Sequence, residues 1–241
     1  MSNESGVSVI TVTFNNVQGL ARTLNSLAAL QHPPLEVVIV DGGSNDGTAE
    51  LAAEFSDRLP IRFESGPDAG IYDAMNKGRA RARGRLVHYL NGGDKVYGEP
   101  YRRANEPALM PVQIINESGQ ILFNDFIKHH GWGYCHQGIL FPVDHPEYNI
   151  QYCIAADFDL IIRCFHAGLD TLPWITEGGV HFALGGISST ALDRRDSEMR
   201  QIIRAQVPPL AAMRLRLVFA LRDLLPRFLR HKLVAIRQRL R

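Results

Sequence analysis

The sequence predicts an α/β protein organised on a doubly wound, mostly parallel sheet with a helical tail at its carboxyl end. Three observations carry that prediction. Strand-length runs of β-branched and apolar residues alternate with segments of helical period from Val7 to Leu90, an order that sets parallel strands side by side beneath helices. Each main run ends in a loop rich in Gly, Asn and Asp, the end at which open α/β sheets bind ligands. The 241 residues are 45% hydrophobic and 21% charged. That is enough apolar surface for the core of one or two domains, and it excludes a disordered chain, a collagen or a coiled-coil rod.

The elements follow in order. Val7 to Phe14 (VSVITVTF) reads as a strand, broken by Asn15-Asn16 before a helix marked by Leu20, Leu24 and Leu27. His32-Pro33-Pro34 ends that helix, and Leu35 to Val40 reads as the second strand. A turn-rich loop from Asp41 to Gly47 leads to a helix over Thr48 to Phe55. Ile61 to Phe63 is a short third strand. Asp68 to Asn76 enters a helix that runs through Arg83 and is stopped by Gly84, and Leu86 to Leu90 is the fourth strand, ending at Asn91-Gly92-Gly93-Asp94. Beyond Tyr97 the periodicity weakens. Ile114 to Phe126 reads as a hairpin around Asn116 to Gly119, and Ala156 to Ala167 as a helix stopped at Gly168. There is no internal repeat.

The net charge of +1 conceals a split. Residues 1 to 198 carry 15 Lys+Arg against 24 Asp+Glu, and residues 199 to 241 carry 11 against 1. This predicts an acidic body over 1–198 and a basic tail over 199–241, with different partners. From Leu210 onward Met213, Leu217, Leu221, Leu224 and Phe228 follow helical spacing, with Arg222, Arg227, Arg230 and Lys232 largely off that stripe. Residues 209–241 therefore read as a basic amphipathic helix for an anionic membrane surface, the alternative being a helix packed on the acidic body. Nucleic acid is not an expected partner, since the segment has only two aromatic residues, Phe219 and Phe228, and no reading motif. No apolar run approaches the roughly 20 residues of a membrane span, and the amino-terminal stretch lacks the pattern of a secretory signal, so the cytoplasm is the expected compartment. Cys135, Cys153 and Cys164 form no CxxC pair and read as reduced core thiols. Lys77, Arg79, Arg81, Arg83 and Arg85 are spaced by two, which scatters them around a helix as a solvated face, with Lys77 able to point toward a phosphate.

Two loops carry chemistry. Asp41 sits at a strand end beside glycines that let backbone N–H groups approach a ligand; the same residues would also serve an ordinary turn with Asn45 and Asp46 capping the next helix. No GxGxxG follows the first strand, so dinucleotide oxidoreduction lacks its main support. Asp94 is a lone carboxylate beside two glycines, suited to holding a divalent cation against a substrate phosphate or to a plain turn.

VSVITVTFNN, EVVIVDGGSNDGT, PDAGIYDAMNKG and LVHYLNGGD, in that order, resemble the amino-terminal half of glycosyltransferase family 2. CHQGILF around His136, AADFDLIIRC around Asp157 and GGIS at Gly185 to Ser188 resemble a bacterial subgroup that assembles exopolysaccharide and lipopolysaccharide glycans. The resemblance implies a GT-A fold and a nucleotide-diphosphate sugar donor. It maps the nucleobase pocket to Thr13, Phe14, Asn15 and Asp41, and donor-side positions to Asp68 and Asn91, with Lys77 beside them. It maps the metal carboxylate, for Mn or Mg, to Asp94 and the catalytic base to Asp157. The family's acidic neighbours are replaced here by Gly42, Gly93 and Ala156. The expected function is an inverting transfer to a hydroxyl of a glycan or lipid-linked acceptor in cell-surface polysaccharide biosynthesis, peripheral on the inner face of the cytoplasmic membrane. The alternative is a non-catalytic nucleotide-sugar-binding or scaffold protein of a glycan assembly complex. Asp159 lies about 200° around a helix from Asp157 and cannot share its pocket. His136 and His181 could reach acceptor, phosphate or metal, or be structural.

Overall fold

The computed structural model describes residues 4–116, 119–125, 134–165, 171–183 and 192–207. Among these the main sheet has six strands. β1 (Glu4–Thr13) lies between β2 (Glu36–Asp41) and β4 (Gly84–Tyr89), β3 (Ile61–Ser65) lies beyond β2, and the four run parallel. β9 (Ile139–Pro142) adds antiparallel to β4, and β6 (Ala108–Leu109) antiparallel to β9. A second sheet has the order β5 (Lys95–Gly98), β10 (Gly178–Ala183), β7 (Val112–Ile115), β8 (Ile121–Asp125), with only the β10–β7 pair parallel.

The four parallel strands and their helices fall where the hydrophobic pattern puts them. Every residue of β2 is buried, as expected of a parallel strand covered on both faces. α1 (Val17–Ala28) buries Leu20, Leu24 and Leu27 and is capped by Asn16, whose side chain accepts from Gly19 N–H at 3.1 Å. α2 (Thr48–Phe55) begins after Gly47, which sits at φ 93°. α3 (Ile71–Arg81) ends two residues before the expected stop. It crosses β1 so closely that a Cβ on Gly78 would lie 2.5 Å from Ile10 Cγ2. The hairpin is β7–β8, and α4 (Ala156–Cys164) carries the ADFDLIIRC stretch.

Four features differ from expectation. β5, β6, β9 and β10 are too short or too irregular in pattern to be read from sequence. α5 (Leu192–Gln206) runs through position 198, and its Ile202 and Ile203, with Val207 just beyond its end, pack with Phe158 and Ile162 of α4. The basic stretch after Asn76 is not a free solvated face: Arg79 donates to Val143 O, Arg81 pairs with Glu64, and Arg83 with the fully buried Glu36, which also receives Ser8 Oγ. All three cysteines are free thiols, as expected, but Cys153 is exposed rather than in the core. The expected helix end at Ala167, the GGIS stretch and residues 209–241 of the tail lie outside the described residues. Among those described, no helix is long and apolar enough to cross a membrane.

Candidate active site

The site forms at the carboxyl ends of β1, β2 and β4, around the point where strand order reverses. Thr13 ends β1 in register with Asp41. Phe14 follows and is 62% exposed, an apolar ring in the open at the end of a buried strand. Asn15 turns the chain at φ 45°, donates its N–H to Ser44 Oγ at 2.7 Å, and accepts Asn45 N–H at 3.1 Å. Asp46 accepts Val17 N–H at 2.8 Å, so the first two loops are bonded into one wall. Asp41 is buried and organises that wall: Oδ2 accepts from Gly43 N, Ser44 N and Ser65 Oγ, and Oδ1 from Ser44 Oγ, leaving Oδ1 the freer oxygen. A Cβ on Gly42 would stand 3.1 Å from both the Phe14 ring and Asp68 Oδ2. Phe14, Gly42 and Asp68 thus line one cleft, and the missing side chain keeps it open. Lys77 does not reach into it. Its Nζ lies 2.8 Å from Asp73 Oδ2 and donates to Pro67 O at 3.1 Å, bracing the loop that carries Asp68.

The loop after β4 forms the floor. Thr23 of α1 donates to Asp94 O at 2.7 Å and accepts Gly93 N–H at 2.9 Å, and Asn16 Nδ2 donates to Gly92 O at 3.1 Å. Asp94 is 5% exposed, with Oδ1 accepting Ala183 N–H from the end of β10 at 2.8 Å. Burial pushes its carboxyl up to about 6, against the lowering effect of that N–H and of the Gln137 side chain.

Opposite stands Asp157, in the first turn of α4. Its Oδ1 accepts Phe158 N–H at 2.8 Å and lies 3.4 Å from Tyr72 Oη, and its Oδ2 lies 3.2 Å from His136 Nδ1. His136 is buried edge-on to Tyr89 and Tyr148, while the Asp157 side chain stays 31% exposed. The two carboxylates are joined by one short turn, His136–Gly138: His136 meets Asp157 and Gln137 meets Asp94. Asp159 points away, paired with Arg163 Nη2 at 2.7 Å and fully buried. His181 is committed elsewhere, stacked on Tyr97 and 2.8 Å from Gln113 Oε1.

Four buried side-chain atoms around this cleft have no hydrogen-bond partner: Thr13 Oγ1, Asn91 Oδ1, His136 Nε2 and Gln137 Oε1. Buried polar atoms are nearly always bonded. Their concentration here marks the place a polar ligand would complete.

Residues 8–97 match the family model described as Glycosyl transferase family 2. Over 211 residues the chain is 31% identical to the PGL/p-HBAD biosynthesis glycosyltransferase of Mycobacterium bovis (strain BCG / Pasteur 1173P2), covering 78% of this chain and 80% of that protein. The chain belongs to glycosyltransferase family 2. Glycosyltransferase AglE of Haloferax volcanii is 36% identical over 91 residues, 36% of this chain and 30% of that one. Among solved structures, S. aureus TarS 1-349 in complex with UDP superposes with a TM-score of 0.63 at 16% identity, covering 82% of this chain and 64% of that chain. The complex of the same protein with UDP-GlcNAc gives 0.60. At that identity the likeness shows the GT-A fold. This chain spans less than two thirds of the length of those TarS chains.

In this family 2 glycosyltransferase the site includes residues that the sequence did not single out. Gln137 and Tyr72 sit inside quoted motifs, so their neighbours were the available signal. Ala183 acts through its backbone, and Glu198, which holds the amino end of α4, lies in a polar segment with no motif. Divalent cations belong to the chemistry this fold implies, and the donor set fits one. Among the described residues no group of three or more His, Cys, Asp and Glu converges. The buried Asp94 carboxylate and the unpartnered Asn91 Oδ1 are nonetheless hard oxygen donors, and a diphosphate and water supply the remainder of such a shell.

Proposed function

We propose that the protein is an inverting glycosyltransferase that moves a sugar from a nucleotide-diphosphate sugar to a hydroxyl of a glycan or lipid-linked acceptor, in the assembly of cell-surface polysaccharide at the inner face of the cytoplasmic membrane. The observation that carries this reading is the pair Asp94 and Asp157, each buried or half-buried at one cleft and joined through His136-Gln137. The TarS complexes named for UDP and UDP-GlcNAc support a nucleotide-sugar donor, and the Mycobacterium relative named for PGL/p-HBAD biosynthesis supports a biosynthetic transfer.

The residues divide the work by position. Phe14 offers an exposed ring to the nucleobase, with Thr13, Asn15 and Asp41 Oδ1 supplying polar contacts at its edge. Asp68 faces the sugar side of the same cleft, and Lys77 holds its loop. Asp94 and Asn91 would hold a divalent cation, which when bound would supply Lewis acidity to the departing diphosphate. Asp157 takes the proton of the acceptor hydroxyl as it attacks, and a single in-line displacement inverts the anomeric centre. His136 keeps Asp157 Oδ2 turned into the cleft.

A panel of nucleotide sugars tests the reading by thermal stabilisation in the presence of Mn²⁺. A true donor at 100 times its Kd adds about 2.7 kcal/mol, and the transferred product has the anomeric configuration opposite to the donor's. Binding without turnover over a lipid-linked acceptor pool would instead make the protein a non-catalytic binder.

A further inference from the structure

α4 begins without a cap of its own. Its N-cap residue is Ala155, which makes no side-chain cap bond, so the N–H groups ahead of the helix must find acceptors elsewhere. They find one carboxylate. Glu198 of α5 accepts Cys153 N–H at 3.1 Å on Oε1, and Ile154 and Ala155 N–H, both at 2.9 Å, on Oε2. Three N–H bonds and the Arg194 guanidinium at 3.0 Å outweigh its burial and hold Glu198 below the ordinary carboxylate range, so it stays charged. The turn it grips is the one from which Asp157 projects. Tyr72 spans the two: it donates to Ile154 O at 2.8 Å, lies 3.4 Å from Asp157 Oδ1, and its hydroxyl feels the charge of both Asp157 and Glu198.

We propose that Glu198 is a positioning residue that sets the orientation of Asp157 by fixing the turn that leads into α4. The inference rests on the reading of Asp157 as the base. Glu198 fixes the turn immediately ahead of Asp157, since moving that turn would break three bonds to a helix packed through Ile202 and Ile203. The charged and titratable groups that face Asp157 among the described residues are His136 from the short turn, Tyr72 from α3, Tyr148 from the loop before α4, and Glu198 with Arg194 from α5. Asp159 and Arg163 lie further round its own helix.

The test is kcat, KM and donor Kd for Glu198→Gln, Glu198→Asp and Asp157→Asn, with the melting temperature of each. Glu198→Gln weakens the hold on the three N–H groups and reduces kcat about three- to tenfold, with donor Kd unchanged. A wild-type kcat in Glu198→Gln overturns the proposal and leaves Glu198 a strut. If that variant fails to fold, Glu198→Asp, whose shorter side chain cannot hold all three N–H groups, is read in the same way. Asp157→Asn separates this from the underlying reading: wild-type turnover there means Asp157 is not the base, whereas an inactive Asp157→Asn with wild-type kcat in the Glu198 variants sinks only the role of Glu198.

Discussion

Asp94 shows how the role proposed for a buried carboxylate sets local stability against function. Burial lifts its carboxyl to about 6, so at pH 7 the folded protein holds a charge there against roughly 3 kcal/mol of desolvation. Asp94→Asn keeps an acceptor for Ala183 N–H and removes that charge. Denaturant unfolding of the cation-free variant at pH 7 is expected to show a gain of about 2 kcal/mol, and its transfer rate a loss of about 100-fold or more. A destabilised variant would contradict this account. The places of Asp94, Asp41 and Asp157 beside one cleft were legible in the sequence, because each is a carboxylate at a strand end or helix start inside an ordered motif. The helical angle alone separated Asp157 from Asp159, and the structure turns Asp159 away to Arg163. Lys77 was less legible, since spacing says that a lysine could face phosphate, not that Asp73 and Pro67 hold it back.

At the scale of elements, close packing against β1 fixes where the loops emerge. Gly78 lets α3 approach Ile10, and the loop that carries Asp68 leads directly into that helix. Gly78→Ala drives a methyl group into the Ile10 side chain and is expected to reduce stability by about 1–3 kcal/mol in urea unfolding; an unchanged midpoint would mean the helix and strand have room to part. β1 to β4 could be read because buried parallel strands are continuous apolar runs with turn-forming residues at their ends. β9 has four residues and β6 two; β9 exists because β4 offers an edge to pair with, and β6 because β9 offers the next one, which no local pattern records. Glu198 was illegible for a related reason: its partners are backbone N–H groups 43 to 45 residues earlier.

For the whole molecule, acid stability follows from buried histidines. His88, bonded to Tyr101 Oη and Gln137 O, and His145, bonded to Tyr89 Oη and Pro146 O, are each pushed down to about 4 by burial. Between pH 6.5 and 4 the unfolded chain binds these two protons and the folded one does not, so stability falls as pH falls through that window. Asp94 opposes with one proton, since its raised value favours the folded state at low pH. The balance is a slope of roughly 1 kcal/mol per pH unit near pH 5, measurable by denaturant unfolding, and a flat profile would contradict it. The charge split along the chain makes a second expectation at this scale: removing residues 209–241 releases the protein from anionic liposomes, whereas unchanged co-sedimentation would refute a membrane role for the tail. The central claim is that this family 2 fold carries its chemistry on Asp157. Single-turnover sugar transfer by Asp157→Asn, with donor affinity measured on the same protein, tests it most directly. The account predicts a rate lower by about 10²–10⁴-fold with donor Kd within about twofold of wild type; transfer at the wild-type rate would contradict it.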